Sequence, residues 1–253
     1  MNAAGLILAA IAGAMLGSFV TVVAHRVPRG ESIVGPRSLC PQCGEQIGAR
    51  DNVPIFAWLA LRGRSRCCGT SISARYPLTE VTLAALFVAV GLRFHGDLGE
   101  ILLGLVFVCT LVAVTLTDLE QRIIPNRILI VAALLGLVIA AIADPSSLPE
   151  RIAAGAGAGA LLFLAALAYP GGMGLGDVKL AAVMGLFLGV WIVPALLVAL
   201  LAGSLVGIVL IARDGASARK RAIPFGPFLA LGGVTGLLAG SALIDLYLNG
   251  FVN

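Results

Sequence analysis

The chain has 253 residues, of which 59% are hydrophobic and only 12% are charged, and its formal net charge is +4. Soluble globular domains carry about 25% charged residues, so this composition excludes a soluble domain, and its wealth of hydrophobic residues excludes a disordered chain. The apolar runs are long and do not alternate as the strands of a membrane barrel do. The composition therefore predicts an all-α polytopic membrane protein.

Eight apolar runs predict about eight transmembrane helices, because a helix needs about 20 mostly apolar residues to cross a bilayer. The first run, Ala3–Ala24, has no charged residue before Arg26 and no basic segment ahead of it, so we interpret it as a retained helix and not a signal peptide. The sixth run is short, and it is separated from the seventh near Gly189–Pro194. The later runs are Leu78–Phe94, Leu98–Thr117, Arg127–Ile142, Arg151–Ala168, Val178–Leu188, Trp191–Ala212 and Phe228–Leu248.

A long polar segment between the first and second runs predicts a separate loop domain. We expect three parts: a first transmembrane helix at 1–25, a cysteine-containing loop domain at 26–76 and a membrane bundle at 77–253. Within the bundle, Gly155–Ala160 alternates glycine and alanine, and small residues spaced in this way let helix backbones approach closely.

The basic residues are distributed unevenly between alternate loops. All but two of the 17 Lys and Arg residues lie in one set of loops, the exceptions being Arg93 and Arg151. Loops rich in Lys and Arg stay on the cytoplasmic side of a membrane, so this set is predicted to face the cytoplasm. The net charge is therefore a topology signal, and we expect the lipid bilayer and no nucleic acid as a partner. The basic loops are Arg26–Tyr76, Asp118–Asn126 with the adjoining Arg127, Tyr169–Lys179 and Arg213–Arg221.

Four cysteines of the loop domain form a candidate metal site: Cys40, Cys43, Cys67 and Cys68. Cys40 and Cys43 are spaced as C-x-x-C, and thiolates at this spacing suit tetrahedral Zn²⁺. The second half is irregular, because Cys67 and Cys68 are adjacent. A reducing cytoplasm disfavours disulfides between them. We therefore expect either a structural zinc site or four reduced thiols without a ligand.

Two aspartates stand out because each lies where a transmembrane run meets a basic loop. Asp118 ends the third run, and Asp177 opens the sixth within a glycine-rich segment. Ionisable groups at membrane depth are costly and usually mark function. Two carboxyls within a few ångströms of each other share a proton and can activate water, as in aspartic proteases. The structural alternative is that each simply caps or ends a helix.

The surroundings of Asp177 suggest how a substrate is held. Gly174 and Gly176 leave room for a peptide backbone beside the carboxyl, and Lys179 lies close by, so these three residues are predicted to position the substrate. The proton of the pair is assigned to neither aspartate, because coupled carboxyls titrate together. Another acid, Glu80, begins the second run and is expected to be a cap or a loop contact.

Eight motifs occur in an order that is similar to a known family. The chain resembles the bacterial type IV prepilin peptidases, which are membrane aspartic proteases that often also act as N-methyltransferases. The motifs are Gly17–Pro28, Pro36–Cys43, Asp51–Pro54, Leu61–Gly63, Ile72–Glu80, Asp118–Asn126, Gly174–Leu180 and Ile223–Phe228.

The resemblance implies a function for the aspartates. Asp118 and Asp177 would be the catalytic pair of an endopeptidase that removes the leader from prepilins or pseudopilins, at the cytoplasmic face of the bacterial inner membrane. The new N-terminus would then be methylated from S-adenosylmethionine. The family has two C-x-x-C pairs, and here Ser65 stands where the third cysteine is expected. Cys67 could take its place as a ligand.

Three other functions stay open at this point. The first is a peptidase without methyltransferase activity. The second is an ion- or proton-coupled transporter in which Asp118 and Asp177 relay charge, although their positions at helix ends on one side disfavour it. The third is a non-catalytic membrane scaffold whose zinc loop recruits partners. The sequence indicates no oligomeric state.

Overall fold

The structure is a computed structural model that describes residues 2–35, 38–169, 172–214 and 223–251. These residues form α-helices joined by turns and short 3₁₀ segments, and within the described ranges the only β-type pairing is two isolated bridges. The prediction of an all-α protein is confirmed. The first two residues of the motif Pro36–Cys43 and most of the basic loop Arg213–Arg221 lie outside the described residues.

Nine α-helices follow one another along the described chain. The second is a five-residue helix inside the polar loop, and the others are apolar and have 14 to 26 residues. They are α1 (Ala3–Arg26), α2 (Phe56–Ala60), α3 (Arg75–Arg93), α4 (Leu98–Gln121), α5 (Asn126–Ala143), α6 (Leu148–Ala168), α7 (Leu175–Leu188), α8 (Ile192–Asp214) and α9 (Gly226–Phe251).

Seven stretches of the described chain are long and apolar enough to cross a membrane. Six of them each contain one long helix. The seventh stretch, Leu175–Asp214, has 40 residues and contains both α7 and α8, separated by a 3₁₀ turn at Gly189–Trp191. The prediction of a polytopic helical membrane protein is therefore confirmed.

The chain reverses direction at this 3₁₀ turn. Along α9, Gly232 lies against Ala195 and Gly240 against Trp191, so α8 runs antiparallel to α9. Along the same helix, Gly233 lies against Met184, and Gly236 lies against Leu188, so α7 runs parallel to α9. Leu175–Asp214 thus consists of two oppositely directed helices, as the predicted boundary near Gly189–Pro194 requires.

Helix α7 is unusually short for a membrane-crossing helix. Its 14 residues rise about 21 Å, whereas a hydrocarbon core is about 30 Å thick. The turn that follows it is held by Glu150, whose Oε1 accepts a hydrogen bond of 3.0 Å from the Val190 amide. Gly189 has a positive φ of 54°, a conformation that glycine adopts without strain.

The chain divides into two compact units, Met1–Gly96 and Asp97–Asn253, which we call the N-terminal and C-terminal units. The N-terminal unit contains α1 to α3 and the cysteine-containing loop, and the C-terminal unit contains α4 to α9. The predicted division into three parts, at residues 25 and 76, was based on which residues are expected to lie in the membrane. The compact units are defined by internal packing, so they do not test this division, and it stays a prediction.

Glycines allow the helices of each unit to pack closely. In the N-terminal unit, a Cβ at Gly17 of α1 would lie 2.6 Å from the Cα of Glu80 on α3. In the C-terminal unit, a Cβ at Gly185 of α7 would lie 2.5 Å from the Cα of Gly155 on α6. The predicted role of Gly155–Ala160 in close helix packing is confirmed.

Both aspartates continue the buried faces of their helices. On α4, Asp118 follows Leu111 and Val114 at helical spacing, and all three are buried. On α7, Asp177 precedes Leu180 and Met184 in the same way. Their helical spacing from these buried apolar residues thus directs both carboxyl side chains into the interior of the C-terminal unit.

Candidate active site

Asp118 and Asp177 line the same cavity in the C-terminal unit. The cavity has a volume of about 330 Å³, and the two residues are 6% and 9% exposed. The cavity is lined by Asp118, Arg122, Ile123, Ile124, Asn126, Gly174, Gly176, Asp177 and Lys179.

Asp118 lies in the last turn of α4 and is fixed by the first residue of α9. Its Oδ2 accepts a hydrogen bond of 2.8 Å from the backbone amide of Gly226. A Cβ at Gly226 would lie 2.8 Å from the same oxygen, so only glycine fits here without a shift. One carboxylate oxygen of Asp118 is therefore held in place by a backbone donor from a distant part of the chain.

Gly226 was not identified from the sequence as a site residue. It lies within the motif Ile223–Phe228, but a backbone donor leaves no side-chain pattern to recognise. The available signal is a glycine that precedes Pro227 at the first residue of a helix.

Asp177 lies in the first turn of α7. Its Oδ2 accepts a hydrogen bond of 3.2 Å from the amide of Gly174, which is the N-cap residue. Asp177 therefore helps to cap the helix from its third position, and not as the N-cap residue that the structural alternative predicted. The N-terminal end of the helix dipole favours a negative charge at this place. Asp177 also faces the cavity that Asp118 lines, so capping and a chemical role are compatible.

The predicted positioning residues surround the same cavity. Lys179 Nζ donates a hydrogen bond of 3.0 Å to Asn126 Oδ1, which links α7 to the start of α5. A Cβ at Gly176 would lie 3.0 Å from the Ile124 side chain, so the absence of a side chain lets α7 pack onto the turn after α4. Arg122 ends α4 with a positive φ of 55° and directs the chain into this turn.

This arrangement can perform acid–base chemistry on a water molecule. Two buried carboxyls that share a cavity tend to hold one proton between them, so that one acts as a base and the other as an acid. The cavity is large enough for several water molecules or a short stretch of extended peptide. The geometry therefore fits the aspartic protease chemistry expected from the sequence.

Two family models match the chain, one in each compact unit. Residues 11–94 match the bacterial peptidase A24 N-terminal domain, and residues 105–212 match the type IV leader peptidase family. Similar proteins include the prepilin leader peptidase/N-methyltransferase of Bacillus subtilis, which is 38% identical over 241 residues that cover 94% of this chain and 96% of the relative. This chain belongs to the type IV leader peptidase family.

Two further relatives have the same name. The protein of Aeromonas hydrophila is 36% identical, over 94% of this chain and 92% of the relative. The protein of Pseudomonas putida is 34% identical, over 93% of this chain and 91% of the relative. No solved structure matches the chain. The predicted family and the class of enzyme are confirmed, and membership of a peptidase family favours an enzyme over a transporter or a scaffold.

The N-terminal unit of this leader peptidase family member holds the four predicted cysteines close together. Their Sγ atoms all lie within 4.8 Å of one another. The separations are 3.6 Å for Cys40 and Cys68, 3.2 Å for Cys43 and Cys67, and 3.9 Å for Cys67 and Cys68. A tetrahedral zinc with Zn–S bonds of about 2.3 Å needs sulfurs about 3.8 Å apart. The donor set therefore fits a metal ion of this kind.

Two similar turns bring these cysteines together. In the first, the Gly44 amide donates to the Cys40 carbonyl over 2.8 Å, and in the second the Gly69 amide donates to the Ser65 carbonyl over 2.9 Å. Both glycines have a positive φ, 74° and 70°. When the two turns are compared, Ser65 occupies the position that Cys40 has in the first turn. This agrees with the expected replacement of the third cysteine by Ser65. Cys67 contributes the fourth sulfur of the cluster.

The surroundings act in opposite directions on the Cys40 and Cys43 thiols. The amides of Cys43 and Gln42 directed at the Cys40 sulfur lower the pKa of this thiol to about 6, and the thiolate is the form that binds metals. Although the Glu45 backbone lowers the pKa of Cys43, hydrogen bonds with the neighbouring thiols, that of Cys67 first, raise it to about 12.

Arg66 forms a two-pronged ion pair with Asp51, with an Nη2–Oδ1 distance of 2.9 Å. The hydrogen bond from Arg66 lowers the pKa of Asp51, which is therefore a carboxylate at neutral pH.

Proposed function

We propose that this protein is an aspartic endopeptidase that removes the leader from type IV prepilins or pseudopilins and N-methylates the new N-terminus. The observation that carries the proposal is that Asp118 and Asp177 line one cavity within the segment that matches the type IV leader peptidase family. Relatives that cover nearly the whole chain are named prepilin leader peptidase/N-methyltransferase.

In the proposed reaction, the aspartate pair activates a water molecule. The carboxylate takes a proton from water while the oxygen attacks the scissile carbonyl, and the protonated carboxyl donates its proton to the carbonyl oxygen. The tetrahedral intermediate then collapses, the C–N bond breaks, and the pair returns a proton to the leaving amine. The Gly226 and Gly174 amides keep one oxygen of each carboxyl fixed during these transfers.

Gly174, Gly176 and Lys179 are proposed to position the peptide. Both glycines line the cavity, and Gly174 adds no side chain beside the Asp177 carboxyl, so an extended backbone can approach it. Gly176 lets α7 pack onto Ile124 and so shapes the cavity wall. The Lys179 ammonium, held by Asn126, offers a hydrogen-bond donor and a positive charge to a substrate carbonyl. The substrate is a protein with a short basic leader before an apolar helix, as the family resemblance implies.

The proposed location is the bacterial inner membrane, with the aspartates at its cytoplasmic face. The support is the uneven distribution of Lys and Arg, since the loops that border Asp118 and Asp177 belong to the basic set.

Cys40, Cys43, Cys67 and Cys68 are proposed to hold a structural Zn²⁺. Bound zinc would cross-link the two turns of a loop in which, among the described residues, only Cys40 and Gly63 are buried. The Ser65 hydroxyl lies 2.9 Å from the Cys67 sulfur. It would donate a hydrogen bond to this sulfur while the sulfur binds the zinc.

The N-terminal unit is proposed to bind the methyl donor S-adenosylmethionine. A cleft there of about 580 Å³ is lined by Gly48, Ala49, Arg50, Asp51 and Arg66. Its donor set fits this molecule, because guanidinium groups suit the carboxylate of the methionine part and the Asp51 carboxylate suits an ammonium, a sulfonium or sugar hydroxyls. S-adenosylmethionine supplies an electrophilic methyl group, and the protein's own residues would bind and orient it.

The test is the mass of a processed prepilin. Membranes that contain this protein are incubated with a prepilin, with and without S-adenosylmethionine, and the products are measured by mass spectrometry. We expect loss of the leader in both reactions and one added methyl group only with the donor. Cleavage without methylation would support the alternative of a peptidase alone, and an uncleaved prepilin would contradict the proposed function.

A further inference from the structure

Glu80 is a buried acid of the N-terminal unit that takes no part in the aspartate chemistry. It lies in the second turn of α3 and is 6% exposed. Its Oε2 accepts a hydrogen bond of 2.7 Å from the Ile55 amide, and the Ser18 side chain of α1 lies beside its carboxyl group. The expectation that Glu80 makes a loop contact is confirmed. One carboxyl group therefore joins α1, α3 and the polar loop.

The loop residue that Glu80 binds has an unfavourable backbone conformation. Ile55 has φ 64° and ψ −56°, and the Phe56 amide donates to the Pro54 carbonyl over 2.6 Å. These are the features of the rare γ-turn whose central residue has φ of about +75° and ψ of about −65°. A β-branched residue at positive φ is strained and persists only where its surroundings hold it. The hydrogen bond to Glu80 is such a restraint.

The strained turn connects two anchored parts of the loop. On one side lies Asp51, which is bound to Arg66 next to the cysteine cluster. On the other side begins α2, whose Trp58 donates its Nε1–H to the Ile72 carbonyl over 3.0 Å. The conformation of Ile55 therefore sets how the cleft residues and α2 are arranged relative to each other within the N-terminal unit.

The backbone of α3 at Glu80 has little freedom to move. Gly17 of α1 packs so closely that a Cβ there would lie 2.6 Å from the Glu80 Cα. The carboxyl group thus projects from a fixed point on the α1–α3 pair, which makes it an effective restraint on the loop.

We propose that Glu80 is a positioning residue for methyl transfer: its carboxyl holds the strained turn at Ile55 and so fixes the polar loop against α1 and α3. One part of the inference rests on the proposed function, namely that methyl transfer takes place in the N-terminal unit. The loop conformation itself can be measured without any enzymatic activity.

The first experiment compares Glu80→Ala with Glu80→Gln. The Gln amide oxygen can still accept a hydrogen bond from Ile55, whereas Ala cannot. The measurement is the rate of tryptic cleavage within 48–66 in purified full-length protein. We expect this rate to rise about tenfold in Glu80→Ala, because loss of one hydrogen bond to a charged group has an effect of that size. In Glu80→Gln, the rate should change little. Glu45→Ala, which removes an exposed acid of the same loop, is the matched control.

The second measurement separates positioning from general loss of folding. Glu80→Ala should lower the fraction of cleaved prepilin that is methylated while leaving the rate of leader removal close to that of the unchanged protein, and Glu80→Gln should restore methylation. Equal losses of cleavage and methylation in Glu80→Ala would contradict a positioning role.

The third measurement tests the strain at Ile55. In the Glu80→Ala background, Ile55→Gly should slow tryptic cleavage again, because glycine adopts a positive φ freely, whereas Ile55→Ala should not. Both variants remove the same apolar side chain beyond Cβ. Identical behaviour of Gly and Ala, or an unchanged cleavage rate in Glu80→Ala, would overturn the inference. If the unchanged protein never methylates prepilin, the proposed methyltransferase function fails, and the proteolysis results still decide whether Glu80 holds the loop.

Discussion

At Gly226, a single backbone amide fixes one of the two reactive carboxyls. A methyl group at this position would lie 2.8 Å from Asp118 Oδ2, so Gly226→Ala must displace the carboxyl or the start of α9. Since a misplacement of about 1 Å can cost about 100-fold in rate, we expect a loss of that order in kcat for prepilin cleavage.

The matched control for this prediction is Gly207→Ala. Gly207 lies on α8, and a Cβ there would have no neighbouring atom within 4 Å. Steady-state cleavage of a purified prepilin by both variants in membranes provides the measurement. Similar rates in the two variants would show that the hydrogen bond from Gly226 has no role in catalysis.

Individual residues differ in how well the sequence revealed them. Asp118 and Asp177 were found because ionisable side chains at the ends of apolar helices are costly and therefore conspicuous. Gly226 acts through a backbone amide and Ile55 through a backbone torsion, so neither has a side chain whose chemistry points to its role. The signal for Glu80 was only its position at the start of a helix, and its partner in the loop required the tertiary structure.

Among the elements, the paired turns of the cysteine loop allow a ligand exchange to be predicted. Cys67→Ser should lower the zinc content of the purified protein, because Ser65 occupies the position of the missing third sulfur. Adding Ser65→Cys to that variant should restore about one zinc per chain, since it recreates a second C-x-x-C pair with Cys68. Metal analysis of both variants would contradict the assignment if the double variant stayed as poor in zinc as the single one.

The contact between α6 and α7 predicts a second effect at this scale. Gly185→Val would force a side chain to within 2.5 Å of the Gly155 backbone, so we expect a loss of about 1–3 kcal/mol in stability, as is usual for overpacking. Gly157→Ala is the control. Gly157 lies on α6, as Gly155 does, but a Cβ at Gly157 would have open space around it. Thermal unfolding in detergent compares the two, and equal melting temperatures would count against the close approach of these helices.

Long helices were predictable from apolar run length, whereas short elements of the loop were not. The eight runs correspond to α1 and α3 to α9, with ends displaced by a few residues. Helix α2 has only five residues, and a helix of that length is stable only through its tertiary contacts. The reversal between α7 and α8 could be located because Gly189 and Pro194 interrupt an otherwise continuous apolar segment.

For the whole molecule, the proposed direction of each helix across the membrane rests on the distribution of charge. If α7 and α8 are separate crossings, Val190 and Leu175 lie on opposite sides of the membrane. In a variant without other cysteines, we expect Val190→Cys to react with an impermeant thiol reagent added outside cells, and Leu175→Cys to react only after the membrane is opened. Labelling of both from the same side would contradict the eight-helix topology. Both side chains are more than half exposed, so access does not limit the reaction.

Composition alone was sufficient to predict the class of the whole molecule, since too few charges are present to cover a soluble surface. The convergence of Asp118 and Asp177 was expected only from chemistry and family resemblance. It depends on the packing of α4, α7 and α9, which run length and periodicity do not specify.

The central claim is that these two carboxyls act together on one peptide bond. The most direct measurement is the single-turnover rate of prepilin cleavage by Asp118→Asn, Asp177→Asn and the double variant, with Asp245→Asn, an exposed acid of α9, as the control. Residues that act as a unit are strongly non-additive, so each single variant should lose essentially all cleavage and the double variant should be no worse. Appreciable cleavage by either single variant would contradict the claim.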